Sequence, residues 1–340
     1  MNMTRRHLSA AIGLGLGLAV APFGDASAQM KNVTYIQPNP SAINSFQVFI
    51  AIGEGYFREE NLNVRVETVD GSGPVLQALA AGQAHVGRPG PAPVINARVR
   101  GVDVVFLYNA LPKSSFGITV KRDSRYQQAT DIKGKVIGTG TRDGAEVGFA
   151  RAILTDLGMK EGTDYTFIPV GDGGPAAAGF LRGDIEAYVA ATSDAAILNQ
   201  RGMPVRDITP EKFKSYFGNG YAAMRSYIDQ NPDVIEGFGR AMARASKFVM
   251  EPANRAKALA HLEAGNRQEG ENKAFAAALL EAVLAKAVPA DPSKGWGYQN
   301  PQDWVNWQNA LLASGDLKQP LPNLEAAYTN KFVEAWNKPK

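Results

Sequence analysis

Polar loops that could bind a small molecule begin close to the N-terminus of the chain. The first loop combines amide and hydroxyl side chains with an aromatic ring, and it supplies Gln37, Asn39, Ser41, Asn44, Ser45 and Phe46. Such a set can hydrogen-bond to a ligand and stack on a flat ring. Asn and Ser are also common helix caps, so these residues have an ordinary structural alternative.

Other residues have the chemistry of an anion site. Ser72 and Gly73 open a predicted helix, where free backbone N–H groups and the helix dipole favour negative charge. Arg88 follows a short apolar strand, and its guanidinium can grip a carboxylate, sulfonate or phosphate in bidentate fashion. The alternative is a solvated surface arginine. If Arg88 and Arg142 both reach one cleft, we expect an anionic ligand.

Further candidates stand near the ends of later predicted strands, and all of them could also be simple turns: Asn109, Thr141, Asp172, Thr192 and Asp194. Asp194 could bind a ligand amine or pair with an arginine, which weakens the argument for an anion. Trp296 has a glycine on each side, so it lies in a predicted loop that could cover a cleft. Large aromatic residues are more often core anchors, and that alternative stays open.

The sequence offers little catalytic chemistry. It has no Cys and three His, of which His7 lies near the N-terminus and His85 falls in an apolar strand pattern. The lack of Cys excludes a disulfide scaffold, a thiolate metal site, a cysteine nucleophile and a lipid-modified cysteine anchor. HExxH, GxSxG and Walker motifs are also missing. We therefore expect a protein that is not an enzyme and has no cofactor, no metal site and no membrane anchor.

The N-terminus has the features of a secretory signal peptide. Arg5 and Arg6 precede an apolar run over 10–20, which is too short to span a membrane, and small residues at 26–28 give a cleavage site after Ala28. The arginine pair also fits twin-arginine export, although the usual aromatic residue after it is missing, so both the Sec and the twin-arginine routes stay open. We expect residues 1–28 to be removed and the mature protein to be soluble in the periplasm.

Charge and length narrow the class further. The formal charge is +3 over 340 residues and no basic run occurs, so nucleic acid is not the expected partner. A hydrophobic content of 45% is enough for a sizeable core, and the length suggests two domains.

The elements that must position these loops are repeated along the chain at an offset of 101 residues. Gly73-Pro74 falls on Gly174-Pro175, and Gly82 falls on Gly183, which are start and stop signals of a short helix. The apolar runs match as well: 33–36 with 134–137, 46–56 with 147–157, 64–69 with 165–170, and 84–86 with 185–190. The unit strand, helix, strand, helix, strand therefore occurs twice, unless chance similarity among α/β patterns produced the match.

This alternation predicts two α/β lobes, each with a parallel sheet and right-handed crossovers. Ligands of such sheets bind beyond the carboxyl ends of the strands, so two lobes facing each other by those ends would enclose a cleft. From residue 231 onward the pattern is helical with a break at Pro252, and further helices are predicted over 269–286, 301–314 and 323–336. We expect these helices to pack around the first lobe and stiffen the hinge.

Several of these segments resemble a known family. Residues 54–64 (EGYFREENLNV), 71–74 (GSGP) and 79–87 (LAAGQAHVG), with 131–138 (DIKGKVIG) and 183–187 (GDIEA), are similar to sulfonate, taurine, nitrate and thiamine-precursor binding receptors of ABC importers. The resemblance covers the segment from 33 to 250. It implies a type II periplasmic binding protein fold with two hinge crossings. On this basis lobe one comprises 29–112 and 220–340, and lobe two comprises 113–219.

The resemblance also implies a function. It indicates a monomeric solute-binding receptor that captures a small molecule by hinge closure and delivers it to an inner-membrane ABC permease. An anionic sulfonate or carboxylate and a flat heterocycle such as a pyrimidine both fit the loop chemistry. A ligand-sensing receptor protein and an enzyme of thiamine-pyrimidine metabolism remain alternatives. The fungal pyrimidine synthases that resemble this family use a cysteine-rich motif, which this sequence cannot supply.

Overall fold

The computed structural model describes residues 30–338, so the predicted signal peptide lies outside the described residues. The strands are β1 Lys31–Gln37, β2 Leu62–Thr68, β3 Val86–Gly87, β4 Val104–Tyr108, β5 Phe116–Lys121, β6 Lys135–Thr139, β7 Tyr165–Pro169, β8 Ala187–Ala191, β9 Val205–Asp207 and β10 Tyr221–Met224. The helices are α1 Phe46–Gly53, α2 Tyr56–Glu59, α3 Ser72–Ala80, α4 Pro91–Val99, α5 Ala145–Asp156, α6 Gly174–Arg182, α7 Thr192–Gln200, α8 Arg225–Gln230, α9 Pro232–Met250, α10 Arg255–Gly265, α11 Arg267–Gly270, α12 Lys273–Ala287, α13 Pro301–Ser314 and α14 Val333–Asn337. Within 30–338, none of these helices has the length and apolar content that a bilayer crossing requires.

Two five-stranded sheets with the same spatial order organise the chain. The first sheet runs β2-β1-β3-β10-β4 and the second runs β7-β6-β8-β5-β9. Helices from the duplicated units and from the C-terminal part of the chain cover these sheets. The predicted pair of α/β lobes is therefore confirmed.

Each sheet contains a strand that runs against its neighbours. β10 pairs antiparallel with β3 and β4, and β5 pairs antiparallel with β8 and β9. These two strands are the ones that follow a crossing from the other lobe, so they enter their sheets from the cleft side. The prediction of wholly parallel sheets is therefore wrong for one strand in each lobe, and the direction of chain entry is the reason.

The duplication is visible in the strand register. In the first lobe Ile36 lies beside Glu67 and Gly87, and in the second lobe Gly138 lies beside Ile168 and Tyr188. The second and third strands keep the sequence offset of 101, whereas the first strand is displaced by one residue. Gly82 and Gly183 both have positive φ, +68° and +77°, at the ends of α3 and α6, as expected for helix stop signals.

Two segments, 109–115 and 208–220, connect the sheets and run side by side. The backbone N–H of Gly218 donates to the carbonyl of Leu111 at 2.8 Å, and that of Ser114 donates to the carbonyl of Lys214 at 3.3 Å. The proposed lobe boundaries, at 112/113 and 219/220, fall within these segments. Paired connections of this kind form a hinge about which two rigid sheets can rotate.

The C-terminal helices contact both lobes. α13 packs against α4 of the first lobe and α5 of the second, and α12 packs against α7 of the second. Trp304 and Trp307 of α13 are fully buried in a cluster that includes Phe106 from β4 and Phe149 from α5. The expectation that these helices pack around lobe one is therefore incomplete, because they also buttress lobe two.

One local prediction needs correction. The helix predicted over 323–336 is interrupted, because Tyr328 bridges to Phe106 and the Thr329 N–H donates to the Phe106 carbonyl at 3.0 Å, so this part pairs with β4. A short 3-10 helix, Leu324–Ala327, and α14 remain on either side. Pro91 begins α4 shortly after Arg88, since proline is well suited to the first helical position.

Candidate functional site

The carboxyl ends of the parallel strands in the two sheets face each other and enclose a small space, which we call the inner cavity. Its volume is about 40 Å³, and loops after five strands contribute to its wall. The lining residues are Pro38, Asn39, Gly71, Ser72, Phe116, Thr141, Ala145, Glu146, Asp172, Val189, Ala191, Asp194 and Asn219. This is the location that the duplicated-lobe prediction requires for a ligand site.

Three carboxyl groups from lobe two dominate the inner cavity. Glu146 stands in the first turn of α5 and accepts the Thr141 N–H at 3.1 Å. Asp172 follows β7 and accepts the Tyr188 hydroxyl at 3.2 Å. Asp194 stands in the first turn of α7 and accepts the Ala191 N–H at 3.0 Å. Each carboxyl therefore accepts a hydrogen bond from the protein and still has oxygen lone pairs that could accept a hydrogen bond from a ligand in the cleft.

Burial makes these groups hard to ionise. Loss of solvent raises the pKa of Glu146 to about 7, with a smaller contribution from Asp172. Burial also raises the pKa of Asp172, and it raises that of Asp194 well above its usual value, where the neighbouring Asp172 adds to the effect. Among the residues that the structure describes, no Lys, Arg or His lines this cavity. The cavity therefore favours a partner that brings hydrogen-bond donors or positive charge.

Lobe one closes the cavity with small and neutral groups. Its wall includes Asn39, Ser72 and Asn219, and the Ser72 hydroxyl accepts the Gly90 N–H at 3.2 Å. A Cβ at Gly90 would collide with the Cβ of Ala145 in lobe two, and a Cβ at Gly71 would lie 2.8 Å from Thr141 Oγ1. Glycine is therefore required at both positions for the lobes to approach this closely.

A second polar cluster lies in lobe one beside the cavity. Arg88 is 3% exposed, and its Nε and Nη2 have no hydrogen-bond partner among the described residues. Burial raises the pKa of Tyr35 to about 12, and the Arg88 charge opposes that shift. The Tyr221 hydroxyl donates to Gln47 Oε1 at 3.2 Å, and Asn219 Nδ2 donates to the Arg88 carbonyl. Arg88 is therefore a buried cation behind the cavity wall.

A larger space, which we call the outer chamber, continues outward from the inner cavity. Its volume is about 550 Å³, and it shares Asn39, Asp172 and Asp194 with the inner cavity. Its other walls come from the loop before α1, the starts of α6 and α7, the end of α7, and the 266–275 segment. Asn44 Nδ2 donates to Ser193 Oγ at 2.9 Å next to this chamber, joining lobe one to lobe two.

The structure brings together some of the residues that the sequence singled out. Asn39, Ser72, Thr141, Asp172 and Asp194 line the inner cavity, and Ser41 joins the outer chamber. Gly73 lies at the lobe interface, where a Cβ would come 3.2 Å from Asp143 Cβ. Their role in binding stays a prediction, but their convergence on one cleft is compatible with it.

Other predicted site residues lie away from both spaces or beneath them. Gln37, Asn44, Ser45 and Phe46 are buried in lobe one, and Ser45 bonds to the Tyr35 hydroxyl. Asn109 follows β4, where its backbone pairs with Gly297, and Thr192 donates to the Ser115 carbonyl. Trp296 contacts Asn337 near the C-terminus. Arg142 is exposed and lines neither space, so Arg88 and Arg142 do not meet in the cleft.

Several residues of the site escaped the sequence reasoning. Glu146 has the appearance of an ordinary acidic residue in a first helical turn, and Phe116 and Asn219 lie at the lobe crossings. Glu269 accepts from Ser41 Oγ at 2.5 Å and from the Ile43 N–H at 3.0 Å, 226 residues away in sequence. For Glu146 the local signal was its position as an acidic residue in a first helical turn. The other residues reach the site through contacts between distant parts of the chain, which the sequence does not show.

Metal binding has no support in this geometry. Within residues 30–338, no group of three or more His, Asp or Glu side chains is arranged to hold a metal ion. The three cavity carboxyls are instead individually engaged with backbone or hydroxyl donors.

Comparison with known proteins gives a consistent result. Residues 42–256 match the family described as NMT1/THI5 like. The riboflavin-binding protein RibY of Chloroflexus aurantiacus is 25% identical over 334 residues, covering 92% of this chain and 89% of that protein. A 4-amino-5-hydroxymethyl-2-methylpyrimidine phosphate synthase of Schizosaccharomyces pombe is 25% identical over 308 residues, covering 82% of this chain and 86% of that protein.

The fold has solved counterparts. The alkanesulfonate-binding protein SsuA from Xanthomonas axonopodis pv. citri, bound to MOPS, superposes with a TM-score of 0.69 at 17% identity, covering 89% of this chain and 99% of that one. This likeness confirms the predicted type II periplasmic binding protein fold. At such low identity it carries no information about the ligand.

Proposed function

The chain belongs to the NMT1/THI5-like family, and from that premise we propose that it is the solute-binding receptor of an ABC importer, exported to the periplasm. Its two lobes would close on a small molecule, and the closed form would be read by an inner-membrane permease. The observation that carries this proposal is the interlobe cleft, where loops from both sheets converge on a polar cavity. The binding-protein relative supports the same conclusion.

The ligand that best suits this cleft is a flat nitrogen heterocycle. Ring N–H and amino groups can donate to the carboxyls of Glu146, Asp172 and Asp194, while Phe116 and Pro38 supply apolar faces. The names of the two curated relatives, which refer to a flavin and to a pyrimidine, point to the same class.

A sulfonate or carboxylate ligand is disfavoured by the same geometry. Such a group would lie against three carboxyls with no cation in the wall, so it would either meet negative charge or require these carboxyls to stay protonated. Arg88 is a buried cation, but it does not line the cavity. Arg142, the other candidate for anion binding, is exposed.

The mechanism is a hinge motion about the paired connecting segments. A cavity of about 40 Å³ has room for one or two water molecules, so a ring can enter only after the lobes move apart. Contacts to both lobes, such as donors to Asp172 and acceptors for Asn39, would then favour the closed form over the open one. No covalent step is required.

An enzyme of pyrimidine metabolism is the second candidate, because the fission yeast relative is named as a synthase. The absence of cysteine from the sequence removes the cysteine-rich motif expected of such fungal enzymes. A purified protein that forms a pyrimidine product would favour this second candidate over the receptor.

Calorimetric titration tests the receptor proposal and its ligand class together. We expect riboflavin or 4-amino-5-hydroxymethyl-2-methylpyrimidine to bind at micromolar concentration or better, and ethanesulfonate to bind far more weakly. D172N should weaken heterocycle binding by about tenfold, as expected for loss of a charged hydrogen-bond acceptor. D229N, which changes an exposed aspartate outside both spaces, is the matched control. Tight binding of ethanesulfonate without heterocycle binding would overturn the ligand class.

A further inference from the structure

The outer chamber is large enough to hold part of a ligand. Its volume of about 550 Å³ falls within the range of roughly 300–1,000 Å³ that is common for small-molecule sites. It joins the inner cavity through Asn39, Asp172 and Asp194, which line both spaces. Once the lobes have moved apart to admit a ring, one molecule can therefore place that ring between them and a substituent in the chamber.

Neutral polar groups cover much of the chamber wall. Gln200 ends α7, Gln268 lies on α11, and Asn272 caps α12 by accepting the Phe275 N–H at 3.0 Å. No side-chain hydrogen bond of Gln200 or Gln268 is present among the described residues, and both are exposed to the opening. Such amides can donate to and accept from hydroxyl groups.

The 266–275 wall is fixed to the first binding loop. The Glu269 carboxylate accepts from Ser41 Oγ and the Ile43 N–H, and Asn266 Nδ2 donates to the Pro40 carbonyl at 3.0 Å. α12 also packs on α7 of lobe two. These contacts hold the chamber wall in a fixed position. A ligand substituent would therefore contact side chains that are already in place before it binds.

Charge in the chamber is strongly unbalanced. Within the described part of the chain, four carboxyl groups line it, those of Asp172, Asp194, Glu269 and Glu271, whereas Arg201 supplies the single cationic side chain. Arg201 lies over Gly174 at the start of α6 and is exposed to solvent. A phosphate, which carries close to two negative charges at neutral pH, would meet the exposed Glu271 carboxylate and would have Arg201 alone to offset its charge.

From these observations we infer that the ligand is a heterocycle bearing an uncharged, hydroxyl-rich tail, and that the outer chamber binds this tail and discriminates against its phosphorylated form. The inference rests on the proposed function and specifies its substrate class. The ring would lie against the inner carboxyls, and the tail would extend along Gln200 and Gln268.

Three flavins provide the test, because they share a ring and differ in the tail. Riboflavin has an uncharged polyol tail, lumichrome has none, and flavin mononucleotide ends in a phosphate. We expect riboflavin to bind about tenfold tighter than lumichrome, the effect of two or three hydrogen bonds. We expect flavin mononucleotide to bind at least about tenfold more weakly than riboflavin, and added salt should narrow that gap because salt screens exposed charges.

Single substitutions connect these differences to the chamber. Q268A should reduce riboflavin affinity by about threefold and leave lumichrome unchanged. Q319A, which alters an exposed glutamine outside both spaces, should affect neither ligand. E271Q should improve flavin mononucleotide binding by about threefold with little change for riboflavin.

Each outcome is decisive. Equal affinities for riboflavin and lumichrome would overturn the tail site while leaving the receptor proposal intact. Equal or tighter binding of flavin mononucleotide would overturn the discrimination against phosphate. If none of the three flavins binds, the inference is wrong, and the proposed function is then judged by the pyrimidine titration alone.

Discussion

Replacing Glu146 by glutamine should make the protein more stable at alkaline pH. Glu146 is 9% exposed, and burial raises its pKa from 4.5 to about 7. The folded protein therefore binds this proton more tightly than the unfolded chain does. The stability contributed by the protonated carboxyl is fully present below the unfolded pKa of 4.5 and is lost as the pH rises through 7.

The size of the effect follows from the shift. Each pKa unit corresponds to about 1.4 kcal/mol, so ionised Glu146 costs the fold about 3 kcal/mol at pH 8. Glutamine keeps the oxygen that accepts the Thr141 N–H but cannot ionise. E146Q should therefore melt roughly 6 °C above the wild type at pH 8, at about 2 °C per kcal/mol for a chain of this size.

The assay is thermal unfolding of both proteins at pH 5 and pH 8. At pH 5 the two melting temperatures should nearly coincide, because both side chains are then mostly uncharged. E251Q, which alters an exposed glutamate, should follow the wild type at both pH values. If E146Q and the wild type show the same change in melting temperature between pH 5 and pH 8, the pKa of Glu146 is not raised in the folded protein.

Three other substitutions test the lobe interface. G90A should weaken ligand binding by about tenfold, because the added methyl group blocks lobe closure at a backbone conformation that alanine tolerates. G179A, where a Cβ makes ordinary contacts, should bind the ligand normally. Equal affinities of G90A and the wild type would contradict this prediction. N44A removes the hydrogen bond to Ser193 and should reduce affinity by about fivefold in a fluorescence titration, whereas unchanged affinity would show that the bond does not stabilise closure. W296A should lower the melting temperature by several degrees and leave ligand affinity unchanged, because this ring packs on the lobe-one core away from both spaces. A loss of ligand affinity in W296A would instead indicate that the Trp296 loop covers the cleft.

The landmarks that located the duplicated units in the sequence have physical roles in the fold. Gly82 and Gly183 end helices with positive φ, and Pro175 lies in the first turn of α6. Such signals depend on local conformation, so a sequence reveals them directly. The general position of the cleft followed from the same pattern, because the carboxyl ends of strands can be assigned once strands are recognised.

The chemistry of the cleft was harder to predict. Whether an acidic residue is buried depends on what packs over it, and Glu146 and Asp194 are buried in the fold although neither lies in an apolar stretch of sequence. Arg142 is the opposite case, because it is exposed to solvent although the preceding residue, Thr141, lines the cleft. The antiparallel strands also depend on pairing between distant parts of the chain. The break at Tyr328 in the helix predicted over 323–336 has the same cause, because Tyr328 pairs with β4.

The charge of the cavity changes the choice of ligand. From residue types alone, anionic compounds and heterocycles were equally suitable. With three carboxyls in the inner cavity and Arg88 placed behind its wall, the heterocycle is the better match. The raised pKa of each carboxyl also implies that donor groups of a bound ring would favour ionisation, so binding should release protons.

The proposed function requires the two lobes to open to admit a ligand and to close around it. Small-angle X-ray scattering of the purified protein, with and without a ligand that calorimetry shows to bind, measures this directly. We expect a larger radius of gyration for the free protein than for the complex. Identical curves with and without bound ligand would contradict it.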